Sequence, residues 1–160
     1  KMEIELASLE GEQHVFLCGK DVSQEIRTPE VSMAASRVSA VPAIRTFLFD
    51  LQRNIAKKHS VIMDGRDIGT VVLPDAQLKI FLTASPEERA RRRYEELRQN
   101  GATDSYEEVL KDLKERDYQD SHREIAPLRP AEDAIEMDTT GLSLQQSVDR
   151  VIALIKERLP

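Results

Sequence analysis

The stretch Ser60-Val61-Ile62-Met63-Asp64-Gly65-Arg66-Asp67-Ile68-Gly69-Thr70 decides how this 160-residue chain is read. Ser60 to Met63 is a short apolar run of the kind that forms a buried strand, and Asp64-Gly65 ends it. Downstream the pattern alternates. Leu78 to Thr83 predicts a strand, and Ser85-Pro86-Glu87-Glu88 opens a helix that runs to Leu97 and stops near Asn100-Gly101. Ser105 and Glu108 repeat the capping pattern for a helix reaching about Asp120. Ala134 to Met137 predicts a third strand, and Ser143 with Gln146 opens a last helix with Val148, Val151, Ile152 and Ile155 inward. Strands separated by helices imply a parallel α/β sheet from about residue 60 onward.

Upstream the style differs. Residues 2–9 alternate apolar and polar, Glu10-Gly11-Glu12 supplies a turn, His14 to Cys18 predicts a second strand, and Gly19-Lys20-Asp21 turns again. These read as antiparallel hairpins. Thr28 can cap a helix with Pro29 at its first position. Pro42 breaks that helix, and Ile44, Phe47, Leu48, Leu51 and Ile55 mark one face of the next. The front of the chain is therefore an α+β lobe.

Composition narrows the function classes. Lys plus Arg is 23 and Asp plus Glu is 29, a formal charge of −6, which argues against a dedicated nucleic-acid binder. Apolar residues make up 40 %, enough for a packed core. The longest apolar run, Val151 to Ile155, is far short of the ~20 residues of a membrane span. The single Cys18 and scattered histidines give neither an internal disulfide nor zinc-ligand spacing, which fits a reducing, cytoplasmic compartment. The chain opens on Lys1-Met2-Glu3 with no cleavable apolar leader and runs at once into a strand pattern, so it reads as entered in mid-domain.

Open α/β sheets place ligands at the carboxyl ends of their strands, where Gly65, Arg66, Asp67 and Gly69 fall. Arg66 offers a planar fork for phosphate oxygens and Asp67 a fixed acceptor. The bland alternative is a solvated loop in which the two pair with each other. Arg116, Asp120 and Arg123 share one face of a continuing helix, where two guanidiniums and a carboxylate could hold a phosphate and a ribose hydroxyl. Taken alone, that triplet reads as a solvated face stitched by an Arg116–Asp120 pair. The cluster Arg89, Arg91, Arg92 and Arg93, with glutamates around it, likewise reads as a charged outer face. Ser36 and Arg45, on either side of the Pro42 break, carry no message by themselves.

Three long motifs give the chain a family. Ile62 to Ala76, Arg27 to Ser36, and Lys114-Glu115-Arg116-Asp117 followed by Asp120, Arg123 and Ala126-Pro127-Leu128 closely resemble the bacterial cytidylate kinases, in one collinear order over practically the whole chain. The resemblance implies an α/β, P-loop-type nucleoside monophosphate kinase. Residues 1–58 would be the CMP-binding insert, and residues 59–160 the remainder of the parallel core, with a lid at about 89–123. It implies ATP-dependent phosphorylation of CMP and dCMP, with Mg2+ accompanying ATP, by a monomer that engages neither nucleic acid nor membrane. Ser36, Arg45 and Asp67 would meet the cytosine ring, Arg66 and Arg123 the acceptor phosphate, and Arg116 with Asp120 the ribose hydroxyl. Arg66, Arg123 and Asp64 would form the catalytic set, Asp64 assisting the magnesium shell. Arg89, Arg92 and Arg93 would belong to the lid.

The same family carries a Gly-x-x-x-x-Gly-Lys-Ser/Thr phosphate loop, and no such pattern occurs in these 160 residues. The expectation is a kinase lacking its front third and inactive as it stands. The alternative is a noncatalytic nucleotide-binding module. A shared fold with adenylate or uridylate kinases is a third reading, disfavoured by the long insert.

Overall fold

The computed structural model describes residues 3–39, 41–99 and 101–159, with the side chains of Pro29 and Ser36 also outside the description. The chain divides into two compact units, residues 1–51 and 52–160.

The first unit begins with β1 (Ile4–Leu9), β2 (Glu12–Leu17) and β3 (Lys20–Asp21), an antiparallel sheet in that order, with Ile4 opposite Leu17 and Phe16 opposite Asp21. Both hairpin turns use two residues at positive φ: Glu10 at 53° with Gly11 at 86°, and Cys18 at 50° with Gly19 at 80°. That backbone matches the right-handed twist of the flanking strands. A short 3-10 turn at Glu25–Arg27 leads to α1 (Pro29–Val38). The Thr28 hydroxyl accepts the Val31 N–H, as the sequence predicts. Helix α2 (Pro42–Lys58) starts at the proline that breaks α1 and runs on past the division between the units.

The second unit holds β4 (Ile80–Thr83), α3 (Pro86–Gln99), α4 (Tyr106–His122), β5 (Ile135–Asp138) and α5 (Leu144–Arg158). Strands β4 and β5 pair in parallel, Ile80 opposite Ile135 and Thr83 opposite Asp138. The expected mixed α/β architecture with a parallel sheet is present. Two of the three expected capping boxes form, at Ser105–Glu108 and Ser143–Gln146. The expected stop of α3 at Asn100-Gly101 involves one residue outside the description, Asn100. Gly101, at φ 81°, donates to the Arg98 carbonyl, and Ala102 donates to that of Leu97.

Three expectations fail. Residues 60–63 form no strand, and Ile62 is 94 % exposed. A strand exists only where a neighbour completes its ladder, and among the described residues none reaches this segment. The second is the capping box at Ser85, whose hydroxyl accepts the Glu88 N–H but whose own N–H goes to the Thr140 hydroxyl; the segment Ile68–Val72 forms a wide π-type turn. The third is α5, whose expected inward face leaves Val148 40 % and Ile152 42 % exposed, because an apolar helix stripe is buried only where a partner surface covers it. Among the described residues the buried apolar side chains are those of Val72, Ala84, Ala90, Val109 and Met137.

Candidate functional site

In the second unit two of the predicted site residues, Arg66 and Arg116, approach a third, Asp120. This carboxylate lies in the last turns of α4 and is 5 % exposed. Arg66, 54 residues away in sequence, donates from Nε to Asp120 Oδ2 at 2.9 Å. Arg116, one helical turn before Asp120, brings its own Nε to 3.9 Å from the same oxygen. Spacing along α4 explains the Arg116–Asp120 half. The Arg66 half needs the tertiary fold.

Arg123 departs from expectation. The helix ends at His122, and Arg123 turns into extended backbone (φ −65°, ψ 143°), its N–H closing on the Gln119 carbonyl. Arg116, Asp120 and Arg123 therefore do not share one continuous helical face. Proline at position 127 and the left-handed Ala126 (φ 50°) fold the chain back instead. The Leu128 N–H reaches the Asp120 carbonyl at 2.8 Å. Within this turn Arg123 Nε donates to the Ala126 carbonyl at 2.7 Å, while its Nη2 is buried without a hydrogen-bond partner.

Asp67 opens the π-type turn. Its carbonyl accepts the N–H groups of Val71 (2.9 Å) and Val72 (3.2 Å) and the Thr70 hydroxyl (3.4 Å). Gly65, just upstream, is required by packing, since a Cβ there would sit 2.8 Å from Ile68 Cγ1. Gly69 faces the stem of Lys79, whose nearly buried ammonium spans both oxygens of Asp133 at 2.8 and 2.7 Å and also reaches the Pro74 carbonyl. A cavity of about 60 Å³ lies between this turn, β4 and the 128–134 segment, with Arg66 and Arg129 in its wall. Asp64 is exposed at the head of the loop.

The helix arginines have structural partners. Arg89 grips Asp117 with both terminal nitrogens (3.0 and 2.6 Å) and donates from Nε to the Ala84 carbonyl at the end of β4. Arg92 donates to Glu88 and to the carbonyls of Thr139 and Leu142, and Arg93 pairs with Glu96. Glu88 is held below the usual carboxylate range, chiefly by its hydrogen bond from Arg91. In the first unit, Arg45 lies on α2 and donates to the Ser39 carbonyl at 3.2 Å. Ser36 lies on α1, and its side chain is outside the described residues.

Sequence reasoning missed Arg53, whose Nε donates to the Val72 carbonyl at 2.8 Å, and the Lys79–Asp133 clamp. No spacing rule connects residues so far apart. Among the described residues, no three carboxylate, histidine or cysteine side chains gather as a metal site, and no helix is long and apolar enough to cross a membrane.

Comparison with known proteins gives this geometry a context. A family model described as cytidylate kinase matches residues 1–157. The chain is 53 % identical over 143 residues to a cytidylate kinase of Fervidobacterium nodosum, a match covering 89 % of this chain and 65 % of that protein. It is 56 % identical over 150 residues to that of Caldanaerobacter subterraneus subsp. tengcongensis (94 % and 66 %). With that of Lactobacillus gasseri it shares 49 % over 158 residues (99 % and 69 %). The chain thus spans about two thirds of the length of the curated relatives it matches. With the match running through both units and all three sequence motifs, the chain belongs to the cytidylate kinase family.

Proposed function

We propose that these residues carry the acceptor side of an ATP:CMP phosphotransferase, taking CMP and dCMP. The observation that carries the reading is Asp120, a buried carboxylate to which Arg66 is drawn from 54 residues away, with the orphaned Nη2 of Arg123 one turn further on. A buried cationic nitrogen without a partner is costly, and a phosphate oxygen is the acceptor that would relieve it. Arg66 uses only Nε on Asp120, so its two terminal nitrogens remain able to grip the same phosphate. Arg116 and Asp120 would then present a donor and an acceptor to the ribose hydroxyl.

Base selection would fall to Asp67, with Arg45 and Ser36. Cytosine offers an exocyclic amine beside N3 and O2 acceptors, so a carboxylate takes the amine and an arginine with a hydroxyl serves the acceptors. Uracil would set a carbonyl against Asp67, acceptor facing acceptor. Arginines also lower the repulsion between two nucleotides before in-line attack. Mg2+ would arrive on the ATP phosphates and shield their charge, as this ion keeps most of its shell from phosphate and water. Asp64 alone is not a cage for it and would add at most one carboxylate.

The finer proposal is that the 160 residues by themselves bind CMP but turn it over poorly, since they contain no Gly-x-x-x-x-Gly-Lys-Ser/Thr sequence. That same observation favours the second reading, a noncatalytic nucleotide-binding module. Calorimetric titration tests both. CMP is expected to bind more tightly than UMP and cytidine, Asp67→Asn to erode the first preference, and Arg123→Ala the second. Equal binding of CMP and UMP would reject the cytosine assignment. Appreciable conversion of CMP to CDP by these residues with Mg2+ and ATP would reject the module and the poor-turnover proposal together.

A further inference from the structure

Helix α2 supplies an arginine, Arg53, that donates to the turn beginning at Asp67. Arg53 donates from Nε to the Val72 carbonyl at 2.8 Å and from Nη2 to the Val71 carbonyl at 3.5 Å. Those two residues send their own N–H groups back to the Asp67 carbonyl, at 3.2 and 2.9 Å. The i→i+5 bond from Val72 makes the turn wide, a geometry that is rare and, where it occurs, frequent at functional sites. Carbonyls at the end of a helical turn have no partner within it and take one from outside. Arg53 is that donor. The Val72 side chain, 3 % exposed, anchors the same point in the core.

We propose that Arg53 is a positioning residue for pyrimidine selection, fixing the far end of the 68–72 turn so that the Asp67 carboxylate at its near end is presented at one angle. The inference rests on the reading of Asp67 as the partner of the cytosine amine. Arg53 touches no substrate. It acts through two backbone carbonyls and the two N–H bonds that tie them to Asp67. Without it, the turn tightens towards i→i+4 bonding and Asp67 rotates with the first peptide of the turn.

The test is calorimetric titration of CMP, UMP and cytidine onto the 160-residue chain and its Arg53→Ala, Arg53→Met and Arg53→Lys variants, each checked by urea unfolding. Arg53→Met keeps the aliphatic stem and loses every donor, so the ratio is still read should Arg53→Ala unfold. The CMP-to-UMP affinity ratio is expected to narrow by about fivefold or more in Arg53→Ala and Arg53→Met, a loss of orientation rather than of contact. Arg53→Lys, which keeps one donor for the Val72 carbonyl, should recover part of it. The CMP-to-cytidine ratio, set by the phosphate arginines, should stay constant. A merely structural role would lower stability and weaken CMP and UMP alike, and an unchanged CMP-to-UMP ratio in the variants overturns the proposal while Asp67 keeps its role. Absence of any CMP preference in the unaltered chain overturns the Asp67 reading and this inference with it.

Discussion

The two units of this chain are tied together internally by different means. In residues 1–51 the polar ties are short in sequence. His14 lies 2.7 Å from Asp21, Ser23 donates to Asp21 through both its N–H and its hydroxyl, and Lys20 reaches Glu25. In residues 52–160 short ties along the helices are joined by long ones. Arg66 meets Asp120 across 54 positions, Lys79 meets Asp133 across 54, Arg89 meets Asp117 across 28, and Thr139 meets the Thr83 carbonyl across 56. Local ties close small loops at little entropic cost, whereas distant ties form only after the chain has folded around them. The candidate phosphate and ribose contacts lie in the second kind of network. Their geometry is therefore only as good as the packing that brings distant segments together.

The largest expected effect would break that network at its centre. Asp120→Asn removes the charge that faces Arg66 and Arg116, and urea denaturation should show a loss of about 2–3 kcal/mol, as expected for uncompensated charge beside a buried site. A loss no greater than that of an exposed pair would mean that the network contributes little. Gly65→Ala comes next. Its Cβ would crowd Ile68, and a loss of about 1–2 kcal/mol should follow, together with weaker CMP binding as the loop shifts. Third, a double-mutant cycle on Arg89→Ala and Asp117→Ala should give a coupling of about 1 kcal/mol, since the pair is bidentate but about one third exposed on each side. Zero coupling would make α3 and α4 independent of that clamp.

The smallest effect belongs to the local network and shows as pH dependence. Hydrogen bonds from the Ser23 side chain and backbone, with a further contribution from His14, lower Asp21 from its ordinary 3.8 to about 2. A carboxylate with a depressed folded pKa binds fewer protons folded than unfolded. Its contribution is therefore present in full above the unfolded value near 3.8 and is lost as pH falls through about 2. NMR titration of the Asp21 carboxyl should follow this course, and Asp21→Asn should flatten the acid limb of the first unit's stability. An unshifted Asp21 titration would refute the local account.

The same contrast explains what could be read in advance. The hairpins, the Thr28 cap, the Pro42 break and the two capping boxes are legible because each is decided within a few residues. The Arg116–Asp120 spacing was visible for that reason, though alone it could equally have been a solvated pair. Arg66 on Asp120, Arg53 on the 68–72 turn and Lys79 on Asp133 were not legible, since no periodicity links their partners. The strand expected at Ser60–Met63 failed for a related reason: an apolar run is necessary for a buried strand, but a ladder partner completes it.

By itself the sequence determined the front hairpins, the five longer helices and most of their caps and, through three collinear motifs, the family. Those properties depend on backbone preference and side-chain spacing within a turn or two. Only the tertiary structure decided which arginine meets Asp120, that Arg123 leaves the helix to face its own turn, and that the segment after Asp67 is a wide turn held from α2. Such pairings are settled by desolvation and shape once distant segments pack, and neither quantity is written in local order.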